Sequence, residues 1–319
     1  MNSMTRPVLL QTIALLPDVD RHLAEHYTVH RLPPPGAERE ALLAQHGAQV
    51  EGMVTSARAG FDEALLAKLP KLRVISSFGV GLDTLDVPAA KKRGIPVGYT
   101  PDVLTDCVAD IAFGLLLSIG RRIPEGDRFV RAGQWVRKPP VAFPLGRQVS
   151  RAKLGILGLG RIGQAVAKRA SGFDMQVRYS GRRPVEGVPY GFEPKLVELA
   201  RWADFLVVAT TGGPETKHMV NADVLQALGH KGFLVNIARG TVVDEQALLK
   251  ALQAREIGGA ALDVFEREPE VPEGFFALDN VVLLPHIASA TVETRAAMGQ
   301  RVLDNLSEFF AGRALVSAA

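Results

Sequence analysis

Short apolar runs recur along the chain, and stretches with one apolar face fall between them. In the first hundred residues PVLLQTIAL, YTVHRL, VEGMVTS, LRVISSF and IPVGYT predict strands, while FDEALLAKLP and DVPAAKKRG predict short helices. RLPPPG is a local loop, too short to link domains. Residues 102–122, DVLTDCVADIAFGLLLSIGRR, predict one long helix, with Asp102 as its cap and Arg121 and Arg122 suited to its C-terminal dipole. A loop rich in Pro, Gly and Arg follows over 131–150. A second series then begins, with KLGILGLG, MQVRYS, DFLVVAT, GFLVNIA, GGAALDVF and VVLLP as strands. DEQALLKALQARE carries Leu248, Leu249 and Leu252 at helical spacing, and TVETRAAMGQRVLDNLSEFF carries Val302, Leu303, Leu306, Phe309 and Phe310.

Alternation of strand and helix predicts an α/β fold built on parallel sheets. At 319 residues the chain is longer than one hydrophobic core usually serves, which predicts two domains. No internal repeat or low-complexity tract interrupts the pattern.

Composition narrows the class of function. Hydrophobic residues make up 47% and charged residues 22%, as in a soluble globular protein. The net charge of +3 comes without a run of like charges or basic–aromatic interleaving, so a nucleic-acid surface is not expected. A single cysteine, Cys107, excludes an internal disulfide framework and suits a reducing cytoplasm. Its place in an apolar helical pattern makes it a buried structural residue. The opening run RPVLLQTIALLP is broken by Gln11 and Thr12 and reads as a strand, not a signal peptide. No run reaches the roughly 18 apolar residues of a membrane span.

The segment LGILGLGRIGQAVAKRA contains G-x-G-x-x-G as Gly158, Gly160 and Gly163, after an apolar strand and at the opening of a helix. Gly158 allows the tight turn, Gly160 lets backbone approach a pyrophosphate, and Gly163 lets the helix pack on the strand. The helix N-terminus offers free N–H groups and partial positive charge to phosphates. Where the usual fingerprint places an acid for the ribose 2′-hydroxyl, this chain has YSGRRP, with Ser180, Gly181, Arg182 and Arg183. On an isolated surface turn such arginines would simply be solvated. Downstream of a phosphate cradle they suit the 2′-phosphate of NADP, through charge-assisted bidentate bonds.

Three further stretches place a polar residue just after an apolar strand: Arg239 in VNIARGTVVDEQAL, Glu268 in ALDVFEREP and His286 in LLPHIASAT. Ligands bind at that end of open α/β sheets. Singly, each has a plain explanation, as a surface charge, a solvated loop acid and a core histidine. Together they suit reduction of a 2-oxo acid. An arginine clamps the carboxylate, a histidine gives a proton to the carbonyl oxygen as hydride reaches carbon, and a carboxylate orients the histidine and stabilises its imidazolium.

The ordered blocks FGVGLDTLDV, YTPDVLTDCVAD, GLGRIG, NIARGTVVDE, ALDVFEREP and PHIASAT resemble the signature blocks of the D-isomer-specific 2-hydroxyacid dehydrogenase family over nearly the whole chain. Within it they look most like the glyoxylate/hydroxypyruvate reductases and the hydroxyphenylpyruvate reductases. The resemblance implies a Rossmann-type doubly wound cofactor domain, residues 102–287. It implies a smaller flavodoxin-like substrate domain, residues 1–101 and 288–319, with the active site in the cleft between the two. It implies Arg239 on substrate, Glu268 supporting the histidine and His286 as acid/base. Val80, Gly81 and Ser289 would meet the substrate, the first two through backbone N–H groups. Thr105, Gly158, Gly160, Arg161, Ile162, Gly163, Ser180, Gly181, Arg182, Arg183, Thr211, Ile237, Asp263 and Ala288 would surround the cofactor, with Asp263 on the nicotinamide amide. NADP in preference to NAD, a small or aromatic 2-oxo acid with glyoxylate and hydroxypyruvate first, a homodimer with contacts around 102–150, and the cytoplasm complete the expectation. A phosphoglycerate- or formate-dehydrogenase-like member using NAD, and a nucleotide-gated corepressor-like binding protein, are the alternatives.

Three positions depart from the family pattern: Ala288 where glycine is common, ATTGGPET around Thr211, and Asp174 where glycine is common. His22, His26 and His30 fall at helical spacing, but YTVHRL reads as a strand, so no metal site is expected. His218 and His230 are expected to be solvated at helix edges. Trp135 suits either a dimer anchor or a substrate wall.

Overall fold

The computed structural model describes residues 6–139 and 141–319. The chain divides into two compact units, Met1–Leu104 with Ala290–Ala319, and Thr105–Ser289.

In the first unit, strands β1 (Val8–Gln11), β2 (Thr28–Arg31), β3 (Gly52–Thr55), β4 (Val74–Ser77) and β5 (Val97–Gly98) form one parallel sheet in the order β2-β1-β3-β4-β5. This is the flavodoxin-like order. Strands β3 and β4 are buried along their whole length, the mark of strands covered on both faces. One face packs on Leu43, Leu65, Leu66 and Leu69. The other packs on Val19 and Leu23 and on Val302, Leu303 and Leu306 of the closing helix Val292–Phe310. The Thr291 hydroxyl caps that helix by accepting the Thr294 N–H. The C-terminal tail returns to the β5 edge: Ala319 N–H donates to Val97 O at 2.9 Å and Tyr99 N–H to Ser317 O at 3.3 Å.

In the second unit, β6 (Lys153–Leu157), β7 (Gln176–Ser180), β8 (Gly191–Phe192), β9 (Phe205–Val208), β10 (Phe233–Asn236), β11 (Gly259–Leu262) and β12 (Val281–Leu283) form a parallel sheet in the order β12-β11-β10-β9-β6-β7-β8. Counted within the unit this is the doubly wound Rossmann order with one added strand, and its switch point lies between β6 and β9. Leu206, Val207, Val208, Leu234 and Val235 are fully buried at its centre. Both sheets are parallel throughout, as the sequence predicts.

Several local expectations change. The long helix runs Thr105–Arg121, so it begins three residues after Asp102, which lies outside it with φ 71°. Arg122, with φ 55°, turns the chain into a second helix, Ile123–Arg131, which Pro124 and Gly126 hid in the sequence. Helices Pro17–His26 and Ala37–His46 and the edge strand β8 were also not evident. The rings of His22 and His26 stack along their helix, and His30 on β2 stacks on His46 instead. Asp174 takes φ 52°, a left-handed turn that suits glycine and that Asp tolerates. Among the described residues no helix is long and apolar enough to cross a membrane, and no group of three or more His, Cys, Asp or Glu is placed to hold a metal ion.

Candidate functional site

The glycine-rich turn leaves β6 at the switch point and opens helix Arg161–Ala170. Gly158 has φ 94°, and a Cβ there would lie 2.7 Å from the Thr210 Cα. A Cβ on Gly163 would sit 2.1 Å from Gly158 O, so the helix approaches the turn as only glycine allows. At Gly160, the residue before the helix, a Cβ would meet nothing within 4 Å. The turn is therefore tight on its protein side and open where a pyrophosphate would approach the helix N-terminus. Arg161 and Ile162 form the first turn of that helix.

Ser180 ends β7 and is 3% exposed; its carbonyl accepts the Gly158 N–H at 2.8 Å. It thus ties the second strand to the phosphate turn. Gly181 is half-buried, and Arg182 and Arg183 stand in solvent. Arg182 Nη1 lies 4.0 Å from Glu215 Oε2, with side chains 91% and 84% exposed. Thr211, on the same loop as Glu215, is exposed, and its carbonyl accepts the Thr216 hydroxyl at 2.8 Å.

Arg239 follows β10 and is half-buried. Its turn is held by Asn236, 1% exposed, whose Nδ2 donates to Arg239 O at 2.9 Å and whose Oδ1 accepts the Ala238 N–H at 3.1 Å. Ile237, in the same turn, is buried. Gly240 abuts the next loop so closely that a Cβ would fall 1.9 Å from Phe265 C and 2.2 Å from Glu266 N. The Arg239 turn is thereby fixed against the segment that carries Glu268.

That segment leaves β11. Glu268 Oε1 accepts the Phe265 N–H at 3.2 Å, and Oε2 lies 2.7 Å from His286 Nδ1. His286 follows β12 with φ 56°. With Nδ1 on the carboxylate, Nε2 is left as the nitrogen that can present a proton elsewhere.

Asp263, fully buried, holds the backbone of the same turn. Its carbonyl accepts the His286 N–H at 2.8 Å, and its carboxylate accepts Ile287 N–H at 2.7 Å and Ala288 N–H at 2.9 Å. Burial raises its pKa, while the two N–H groups and His286 oppose the rise. Ala288 is buried, and its carbonyl accepts the Cys107 thiol at 3.0 Å. Cys107 is half-buried on the helix that Thr105 opens.

The second unit thus brings Glu268, His286 and Asp263 together and packs the Arg239 turn against their loop. It also holds the glycine turn, Ser180 and Ser289. Val80 and Gly81 belong to the first unit, in the half-buried loop after β4.

Sequence reasoning missed three supporting residues. Glu245, 8% exposed, accepts the Glu266 N–H at 2.7 Å, and burial raises its pKa. Its signal was an acid directly after the capping Asp244, inside the block that carries Arg239. Asn236 was readable as a polar residue ending an apolar strand. His218 is not simply solvated: it has φ 52°, and its Nε2 lies 3.3 Å from Glu266 Oε1. Nothing local in KHMV signals that pairing.

Residues 113–288 match the family described as "D-isomer specific 2-hydroxyacid dehydrogenase, NAD binding domain". The chain belongs to the D-isomer-specific 2-hydroxyacid dehydrogenase family. It is an oxidoreductase of that family. It is 49% identical over 280 residues to glyoxylate/hydroxypyruvate reductase A of Arabidopsis thaliana, covering 88% of each chain. It is 46% identical to hydroxyphenylpyruvate reductase of Plectranthus scutellarioides, covering 94% of each. Among solved structures it superimposes with a TM-score of 0.91 on an NADPH-dependent glyoxylate/hydroxypyruvate reductase of Sinorhizobium meliloti in complex with NADP and malonate. That pair is 42% identical and covers 99% of this chain and 97% of the other.

Proposed function

We propose that this dehydrogenase uses NADPH to reduce a small 2-oxo acid of the glyoxylate/hydroxypyruvate class to the D-2-hydroxy acid. The observation that carries the reading is the His286 Nδ1–Glu268 Oε2 contact of 2.7 Å, on loops that leave adjacent strands of a Rossmann sheet. The names of the relatives above support the substrate class.

The turn at Gly158, Gly160 and Gly163 fits a dinucleotide pyrophosphate. Arg182 and Arg183 would hold the 2′-phosphate, with Gly181 giving backbone access and Ser180 fixing the strand end. Arg161, Ile162, Thr105, Thr211, Ile237, Asp263 and Ala288 would line the rest of the cofactor site. When bound, the nicotinamide supplies the hydride. The residues of this chain do the remaining work. Arg239 orients the carboxylate and carbonyl, and the N–H groups of Val80 and Gly81 receive the carboxylate, with Ser289 beside it. Nε2 of His286 delivers the proton that the new alkoxide oxygen needs. Glu268 keeps the ring turned for that transfer. Val80 and Gly81 of the first unit would act on substrate, and the second unit would supply Arg239, His286 and Ser289 as well as the cofactor site.

The exposed apolar side chains Ile123, Val130, Trp135, Val136 and Leu145 support a homodimer with contacts in this region. The cytoplasm suits a chain with one cysteine. The test of the reaction is to mix protein, NADPH or NADH, and a panel of 2-oxo acids, and to follow reduced-nicotinamide absorbance. Turnover favouring NADPH with glyoxylate or hydroxypyruvate is expected. No turnover across the panel would overturn the proposal.

A further inference from the structure

The loop that would receive the substrate carboxylate contains no charged side chain at Phe78, Gly79, Val80 or Gly81. Its task is done by backbone, so its value depends on how the backbone is held. Phe78 N–H donates to Thr55 O at 2.7 Å, which anchors the loop where it leaves β4. The next residue, Gly79, is in a conformation open to glycine, φ 142°, and a Cβ there would touch nothing within 4 Å. Sterics therefore do not fix Gly79. Hydrogen bonds do: its N–H donates to the Thr100 hydroxyl at 3.0 Å, and its carbonyl accepts the Thr100 N–H at 2.9 Å. Thr100 is fully buried.

We propose that Thr100 is a positioning residue, whose hydroxyl and amide together hold the Gly79 peptide so that the N–H groups of Val80 and Gly81 converge on the substrate carboxylate. The inference rests on the reading of those two amides given above. Thr100 is itself well held. Tyr99, just before it, is gripped by the C-terminal tail and the closing helix: Ser317 Oγ donates to Tyr99 O at 2.6 Å, and Asn305 Nδ2 donates to the same carbonyl at 3.4 Å. Asn305 is fully buried, and its Oδ1 accepts the Ser317 N–H at 3.1 Å. A Cβ on Gly98 would lie 2.7 Å from Asn305 Nδ2, so the strand end is pressed against that side chain. A chain of bonds thus runs from the tail through Tyr99 and Thr100 to the loop.

The lock predicts a specific kinetic split. A carboxylate bound alike in ground and transition states contributes to KM and not to kcat. Thr100→Val keeps the shape and removes the acceptor, and Thr100→Ser keeps the acceptor. With hydroxypyruvate varied at saturating NADPH, Thr100→Val should raise KM about tenfold with kcat within about threefold of wild type, as expected for loss of one buried hydrogen bond. NADPH affinity, read by quenching of protein fluorescence, should not change. Thr100→Ser should return KM to within about twofold of wild type. If Thr100→Val does not fold, Thr100→Ala carries the same criteria. A wild-type KM in the hydroxyl-free variant beside an active wild-type enzyme would overturn the lock alone. So would loss of kcat and NADPH affinity in step with KM, or a Thr100→Ser variant as impaired as Thr100→Val. A wild-type enzyme that turns over no 2-oxo acid would overturn both the lock and the reaction it serves.

Discussion

Glu268 joins two loops through its carboxylate: Oε2 meets His286 Nδ1 at 2.7 Å and Oε1 accepts the Phe265 N–H at 3.2 Å. One oxygen holds the His286 ring and the other ties the carboxylate to the loop backbone. Glu268→Gln keeps the size but removes the charge, and its NH2 can only donate to the Nδ1 of a neutral His286 ring, so the protonated ring loses its support. Kcat should fall by about a hundredfold, the scale of a misplaced catalytic group. NADPH affinity should be unchanged, and steady-state kinetics with fluorescence titration would show both.

Asp263 acts on the same turn through backbone. Both carboxylate oxygens and the carbonyl of Asp263 are taken by N–H groups of residues 286–288. In Asp263→Asn the amide nitrogen would face an N–H in a fully buried place. An unsatisfied buried donor costs about 1–3 kcal/mol. Urea unfolding should show that loss, and kcat should drop with it as the His286 turn loosens.

Gly240 sets how closely the Arg239 turn meets the Glu268 loop. A Cβ there would lie 1.9 Å from Phe265 C, which no side-chain rotation can relieve. Gly240→Ala should destabilise the protein by about 1–3 kcal/mol, as overpacking does. The Arg239 guanidinium should shift with the backbone, so kcat/KM should fall even at temperatures where the variant is folded. Thermal melts and steady-state assays check the two effects separately.

Arg182 has an exposed acidic neighbour, Glu215, at 4.0 Å. Replacing both Arg182 and Arg183 with Ala should raise the NADPH Kd about tenfold or more, the loss expected for charge-assisted phosphate bonds. NADH affinity should be little changed. Glu215→Gln should tighten NADPH binding about twofold, because a solvated pair competes only weakly for the arginine. Equal effects on both cofactors would place the 2′-phosphate elsewhere.

The first unit carries a pH dependence of its own. Burial lowers the pKa of His30, and the nearby His46 lowers it further. A lowered histidine pKa means the folded state resists protonation, so stability is present above the ordinary value near 6.5 and is lost as pH falls below it. Melting temperature should decline below about pH 6.5. His46→Gln should soften the decline; a steeper one would contradict the assignment.

The parts of the fold readable in the sequence were those written in local terms. Strands such as β9 and β10 are continuous apolar runs, because parallel strands are buried on both faces. The glycine turn announces itself because Gly158 and Gly163 each answer a steric demand and Gly160 leaves the outer side open. The helix Ile123–Arg131 was hidden because its propensity is poor and it forms in context. The Glu268–His286 pair was expected as chemistry, but its support by Glu245 and Asp263 depends on contacts between distant loops. Thr100 lies 21 residues from the glycine it holds, and no spacing rule would join them.

His286 is the proton donor proposed for the reaction. The most direct measurement is single-turnover oxidation of bound NADPH by hydroxypyruvate in stopped flow, comparing wild type with His286→Gln. The His286→Gln rate should be lower by about 10²–10⁴-fold, the contribution of a positioned general acid, with NADPH affinity preserved. A His286→Gln enzyme that oxidises NADPH at the wild-type rate would contradict it.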